Sequence, residues 1–169
     1  MKRYKFLLEG LKSSSGNMAW EIGKWEKIKG KVELCESGYH CSKQVYQAFS
    51  YVQGEILAEV EVGGQSEIGE DKEVWAEMKI IKAWRWQKKD SVALSIYAAS
   101  LVIDLFEKEY PSDDRPRKAI EAAKKWLKNT TKKNESAAWS AAESAAESAF
   151  IKKINIWMNK RIKKLEPYL

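Results

Sequence analysis

The spacing of the apolar residues changes near residue 88, and this change constrains the fold more than any other feature. Before it, large apolar residues alternate with polar ones, most clearly over 55–62 and 74–86, which is the period of a half-buried β-strand. From Ser91 to Phe106 the apolar residues follow the spacing of one helix face. We therefore predict an α+β protein with a sheet half at 1–88 and a helical half at 89–169.

The sheet half is predicted to be a small mixed sheet with one helix. Ser42 is well placed to cap a helix over 43–52, and Gly63-Gly64 closes the clearest strand. The alternating segments predict strands at 4–8, 20–25, 31–35, 55–62 and 74–86.

The helical half is predicted to contain three or more helices packed on the sheet. The first runs from Ser91 until Pro111 ends it, the second covers 115–129, and the third continues from an Ala/Ser repeat at 136–150 to Pro167. The small side chains of the repeat suit close helix packing or a homo-oligomer contact. Since neither half looks large enough to bury its share of the eight tryptophans alone, we expect one core, divided near 87–90.

The positive charge is concentrated in the second half of the chain. Residues 115–169 hold 14 Lys/Arg against 5 Glu, a net charge of +9, whereas the first 114 residues carry −3. Such asymmetry suits solvated helix faces, and it also suits a nucleic-acid partner. The longest apolar stretch is too short to span a bilayer, so no membrane association is expected and a cytoplasmic location is predicted.

Cysteine and histidine are scarce, which limits metal and catalytic chemistry. Cys35 and Cys41 are predicted to be unpaired thiols, and no metal site is expected because His40 is the single histidine. Any imidazole-dependent acid–base step would have to use His40. The sequence has no Walker loop, GxGxxG turn, HExxH motif or nucleophile elbow, so the usual classes of hydrolase and dehydrogenase lack a signal.

Two segments carry a family resemblance. The block Leu34-Cys-Glu-Ser-Gly-Tyr-His-Cys-Ser42, within residues 4–86, resembles an uncharacterised family common in bacteriophage genomes. The segment 106–126 is similar to a helical segment of immunity proteins from bacterial toxin systems, and it implies a corner where Asp113, Asp114, Arg115 and Arg117 form a charge cluster. If the gene is carried by a phage, the protein would act in the host cytoplasm.

The order of the elements in the sheet half also resembles that of ADP-ribosyltransferase-like domains. The resemblance implies that Glu73 or Glu77 would position a nicotinamide ribose. It further implies that Arg3, with Tyr39 or Ser42, would hold the cofactor, which would be NAD or another nucleotide. His40 is a third catalytic candidate.

These observations favour binding over catalysis. We predict a phage-associated accessory protein that inhibits a host defence component or sequesters a nucleotide signal, with its ligand site where the two halves meet. An NAD-using enzyme and a basic nucleic-acid-binding module are the alternatives. The ligand-binding candidates combine aromatic rings with polar and charged groups: Arg3, Tyr39, His40, Ser42, Trp75, Arg85, Asp114, Arg115 and Arg117.

Overall fold

The computed structural model describes residues 2–16, 18–128 and 148–168, and over them the fold is α+β, as the sequence predicts. The described strands are β1 (Arg3–Leu7), β2 (Trp25–Lys27), β3 (Tyr39–Cys41), β4 (Ile56–Ile68) and β5 (Glu73–Arg85). The described helices are α1 (Val45–Tyr51), α2 (Lys88–Ser100), α3 (Ile103–Glu109), α4 (Arg115–Lys128) and α5 (Ser148–Ile162).

A long hairpin of β4 and β5 forms the centre of the sheet. β1 pairs with the free edge of β4, while β2 and β3 pair with successive parts of the free edge of β5. All pairings between these strands are antiparallel, and a parallel bridge between Ile22 and Ile80 stands outside them. The hairpin therefore carries both edges on which the candidate site is built.

The sheet closes on itself at one end. The backbones of Tyr4, in β1, and Ser42, just after β3, exchange two hydrogen bonds of 2.9 Å. Because β1 and β3 lie at opposite ends of the path β1-β4-β5-β3, this bridge closes the path into a ring. Its enclosed face holds a core of Leu7, Trp20, Cys41, Ile56, Ala58, Val60, Met78 and Ile80.

Three strand predictions needed correction. β4 does not end at Gly63-Gly64 but continues to Ile68, because a register shift after Gly63 and a left-handed Gly64 (φ 75°) bend the strand without ending it. Residues 31–35 form no strand, because Glu33 and Ser37 close a turn in which Cys35 has φ 68°. The alternation in 20–25 likewise gives only the beginning of β2, at Trp25.

Helix α1 packs on β1 through aromatic rings. The ring of Phe6 lies 5.1 Å from Phe49 and 5.5 Å from Trp86, centroid to centroid, in edge-to-face contacts. The cap of this helix is Gln44, whose reciprocal hydrogen bonds with Gln47 form a capping box, and not Ser42 as predicted. Ser42 is unsuited to the cap because its backbone is already paired with β1.

In residues 87–157 the apolar run predicted as one helix forms two. The amides of Leu101 and Val102 bond to carbonyls three residues back, and Val102 leaves the helical region at φ −123°, so α2 ends and α3 begins. Helices α2 and α4 share a small core of Val92, Ala123 and Trp126, and Tyr97 stacks on Trp157 at 5.6 Å.

The described chain divides into two compact units, 1–86 together with 158–169, and 87–157. The amide of Arg85 donates to the carbonyl of Glu166, and that of Tyr168 donates to Ala83, so the last residues join the sheet unit. The sequence-based division at 88/89 placed them in the helical half. The single shared core stays a prediction, and the Ala/Ser repeat lies mostly outside the described residues.

Candidate functional site

A buried ion pair joins the first strand to the last. Nε of Arg3 in β1 donates to Oε2 of Glu73 in β5 at 2.6 Å, and the two side chains are 9% and 1% exposed. The indole Nε1 of Trp75 donates to the same carboxylate oxygen at 2.9 Å. Three residues singled out in the sequence therefore meet in one cluster, although 70 positions separate Arg3 from Glu73.

The second oxygen of Glu73 has a different environment. Oε1 lies 3.4 Å from Nζ of Lys43 and is the buried side-chain oxygen that accepts no hydrogen bond within the described part of the chain. Burial raises the pKa of Glu73, but the hydrogen bonds from Arg3 and Trp75 outweigh burial and hold the pKa below its usual value. Glu73 is therefore an anion at neutral pH, with capacity to accept one more hydrogen bond.

His40 is fixed by bonds to the backbone. Its Nε2 accepts the amide of Cys35 at 3.0 Å, and its ring also bonds to the backbone of Gly38. Burial and the nearby ammonium groups of Lys5 and Lys72 lower its pKa, so the ring is neutral at pH 7. Because Nε2 accepts the Cys35 amide, this nitrogen is not available as a general base.

Tyr39 precedes His40 in β3, and Ser42 comes just after β3. The two residues have different neighbours. Tyr39 is opposite Trp75 in the sheet register, and its ring lies 5.1 Å from Trp20 in an edge-to-face contact. Ser42 is buried at the bridge to Tyr4. Both therefore lie beside the Arg3–Glu73–Trp75 cluster, in the ring that the sheet forms.

The other glutamate candidate, Glu77, lies outside this cluster. It faces Lys27 of β2, whose Nζ lies 3.0 Å from its carboxylate. Arg85 lies at the far end of β5, where it pairs with Glu9 at 3.3 Å and stacks on the ring of Tyr168 at 4.9 Å. Neither side chain contacts the Arg3 cluster.

The charged residues of the α3–α4 corner form separate ion pairs. Arg117 makes a bidentate pair with Glu107 of α3, which raises the pKa of the guanidinium, and it also approaches Asp104 at 3.4 Å. Arg115 pairs with Asp113 and holds the pKa of that carboxyl at about 2. Asp114 pairs instead with Lys118 at 2.8 Å.

Two further lysines were absent from the candidates. Lys5 of β1 donates to the carbonyl of His40 at 2.9 Å, and burial lowers its pKa to about 8. Lys43 faces Glu73. In the sequence, Lys5 follows a tyrosine and Lys43 follows a serine, and neither position indicates a site residue. The ring closure of the sheet brings the two lysines to the site.

The described residues contain neither a metal-ligand group nor a membrane-spanning helix. Within the described ranges, no group of three His, Cys, Asp or Glu side chains is arranged to hold a metal ion, and both cysteines are free thiols, Cys41 buried and Cys35 exposed. Burial raises the pKa of Cys41 to about 12, which makes it a poor nucleophile. Among the described helices, none combines the length and the apolar character that crossing a bilayer requires.

The class that emerges is an α+β protein whose partly closed antiparallel sheet encloses an Arg–Glu ion pair and is joined to a helical unit. Residues 1–89 match the family described as domain of unknown function (DUF7666), and the chain belongs to that family. Residues 84–150 match the family described as Imm-5 like putative immunity protein. No curated protein and no solved structure matches the chain.

Proposed function

We propose that this protein acts by binding a partner protein, and that the helical unit at 87–157 provides the contact. The immunity-like match over 84–150 supports this role, since immunity proteins act by binding. The proposed partner is a toxin or a defence effector, which includes the host defence component predicted from the sequence.

One observation carries the proposal. Leu105, in α3, is 70% exposed and Tyr110, just after α3, is 51% exposed, which makes Leu105 the most exposed of the large apolar side chains described. Tyr110 is held by Phe106, with ring centroids 5.0 Å apart. The Arg117–Glu107 pair lies on the same corner. Tyrosine and arginine are enriched among the residues that contribute most to binding at protein interfaces.

The test is a calorimetric titration of the full chain with purified proteins encoded beside its gene. We expect one of them to bind, and Leu105→Asp to weaken that binding by at least about tenfold, since it places a charge in the contact. Ile68→Asp is the matched control, because Ile68 is 49% exposed but belongs to the sheet unit. If no neighbouring protein binds, the proposed function fails; if both variants bind equally well, the Leu105 surface is not the contact.

The second candidate is an NAD-using activity of the sheet unit, favoured by the meeting of Arg3, Glu73 and Trp75. Oε1 of Glu73, which faces Lys43 but accepts no hydrogen bond within the described residues, is where a ribose hydroxyl would donate, and Arg3 would hold the cofactor. The 1% exposure of Glu73 means that the cluster would have to open first. Incubation with labelled NAD and cell lysate tests this: turnover that Glu73→Gln abolishes supports the activity, and unchanged NAD excludes it.

A further inference from the structure

A pocket opens on the sheet unit between helix α1 and the bridged strands β1 and β3. Its cavity volume is about 50 Å³, and it opens to solvent. Its walls are largely apolar, formed by Phe6, Ala48 and Val52 with the rings of Tyr4 and Tyr51. A wall of this kind suits a small flat ring.

The pocket also contains a buried hydroxyl group. Ser42 lines it and is 2% exposed, and its backbone is used in the bridge to Tyr4. Its side-chain hydroxyl can donate one hydrogen bond, and an anionic ligand atom in the pocket is a suitable acceptor.

Two ammonium groups make the pocket positive. Lys72 lines it, with Nζ 4.3 Å from the ring centre of Tyr51 and 3.0 Å from Sγ of Cys35. Lys5 also lines it and points its ammonium at the carbonyl of His40. Their field reaches the imidazole of His40, whose pKa is lowered first by burial and then by these two charges.

One carboxylate lies next to the pocket. Asp71 accepts the hydroxyl of Tyr51 at 2.6 Å and keeps its negative charge. That hydrogen bond raises the pKa of Tyr51 to about 12, so the phenol stays protonated and adds no second negative charge at neutral pH. The two lining ammonium groups of Lys5 and Lys72 outnumber this carboxylate, so the pocket keeps an excess of positive charge.

We propose that this pocket binds a small organic anion, a phosphate or carboxylate carried on an aromatic ring. The ring lies against the apolar wall, and the anionic group pairs with Lys72 and accepts the hydroxyl of Ser42. This site is independent of the protein contact proposed at Leu105, because every residue that forms it belongs to the sheet unit.

The single histidine of the chain allows a direct test, because its ring proton signal in an NMR spectrum belongs to His40 alone. Phenyl phosphate and benzoate are the probes, with inorganic phosphate and phenol as the separate parts. We expect a saturable shift of the His40 signal with an apparent Kd on the order of 1 mM for at least one aromatic anion. The pKa of His40 should rise when it binds, since the anion offsets the lysine charges.

Substitutions separate a specific site from general charge attraction. Lys72→Gln and Ser42→Ala should each weaken binding, Lys72→Gln by about tenfold, while Lys72→Arg and the exposed-lysine control Lys82→Gln should leave it within about twofold. The absence of a saturable shift up to about 20 mM probe overturns the proposal. Equal loss in Lys72→Gln and Lys82→Gln also overturns it, as does binding of inorganic phosphate as tight as that of phenyl phosphate.

Discussion

At the scale of single residues, Arg3 and Glu73 set the electrostatics of the sheet unit. Removing both charges from water costs several kcal/mol per ion, which their close contact, the bond from Trp75 and the nearby ammonium of Lys43 help to offset. The ion pair therefore adds little net stability, but each of its charges depends on the presence of the other. Loss of one partner leaves the other charged and buried without its closest counter-charge.

We predict that Arg3→Met destabilises the protein by about 3–5 kcal/mol in urea unfolding, and that Arg3→Met with Glu73→Leu recovers most of the loss. Lys27→Met is the control, because the Lys27–Glu77 pair is exposed and should change stability by less than about 1 kcal/mol. Because the pKa of folded Glu73 is below its usual value, its contribution is present above that value and is lost as the pH falls. A small effect of Arg3→Met alone would contradict this view.

Lys5 gives a pH dependence of the same sign at higher pH. Burial lowers its pKa from 10.5 to about 8, so the folded state releases the proton more readily than the unfolded state. Stability should therefore increase as the pH rises from about 8 to 10.5, and the full cost of the buried charge applies below pH 8. Lys5→Met removes this dependence, so the wild type should gain thermal stability relative to that variant over this range. The difference in thermal stability between the wild type and Lys82→Met should not change with pH. A difference between the wild type and Lys5→Met that also stays constant with pH would refute the prediction.

At the scale of elements, sequence patterns predict those strands and helices whose positions are set by neighbouring residues. The alternation in β4 and β5 and the proline near the start of α4 located those elements, because strand faces and helix starts are set by neighbouring residues. The bulge at Gly64 and the end of α2 were missed, because a glycine pair is typical of a strand end and the helical spacing of apolar residues continues past Leu101. The site shows the same limit: Arg3, Glu73 and Trp75 were candidates, but Lys43 joins them only through the ring closure.

Gly54 is required where α1 ends and β4 begins. A Cβ atom there would lie 2.2 Å from the carbonyl oxygen of Leu7, so the close approach of this segment to β1 depends on glycine. We predict that Gly54→Ala costs about 2–3 kcal/mol in urea unfolding. Gly63→Ala is the control, since its nearest atom would be 3.5 Å away, at a flexible glutamate end. Equal effects of the two variants would show that the contact with Leu7 is not responsible.

At the scale of the whole molecule, the chain leaves the sheet unit at residue 86 and returns to it at residue 158. The family match of the sheet unit ends at 89 and the immunity-like match ends at 150, so the returning segment belongs to neither. It nevertheless completes the sheet unit, through the bonds of Arg85 to Glu166 and of Ala83 to Tyr168. In chain order, the immunity-like segment is therefore an insertion into the sheet unit.

This order predicts that the sheet unit folds without the insertion. A chain in which residues 87–157 are replaced by a flexible Gly/Ser linker of about 12 residues should unfold cooperatively in urea, because the core and the returning segment are both present. A chain that stops at residue 86 should be less stable, since Arg85 and Ala83 lose their partners and Arg85 loses the ring of Tyr168. Tryptophan fluorescence measures the unfolding of both shortened chains. If the two shortened chains are equally stable, residues 158–168 add nothing to the sheet unit; if neither folds, that unit depends on the helical one.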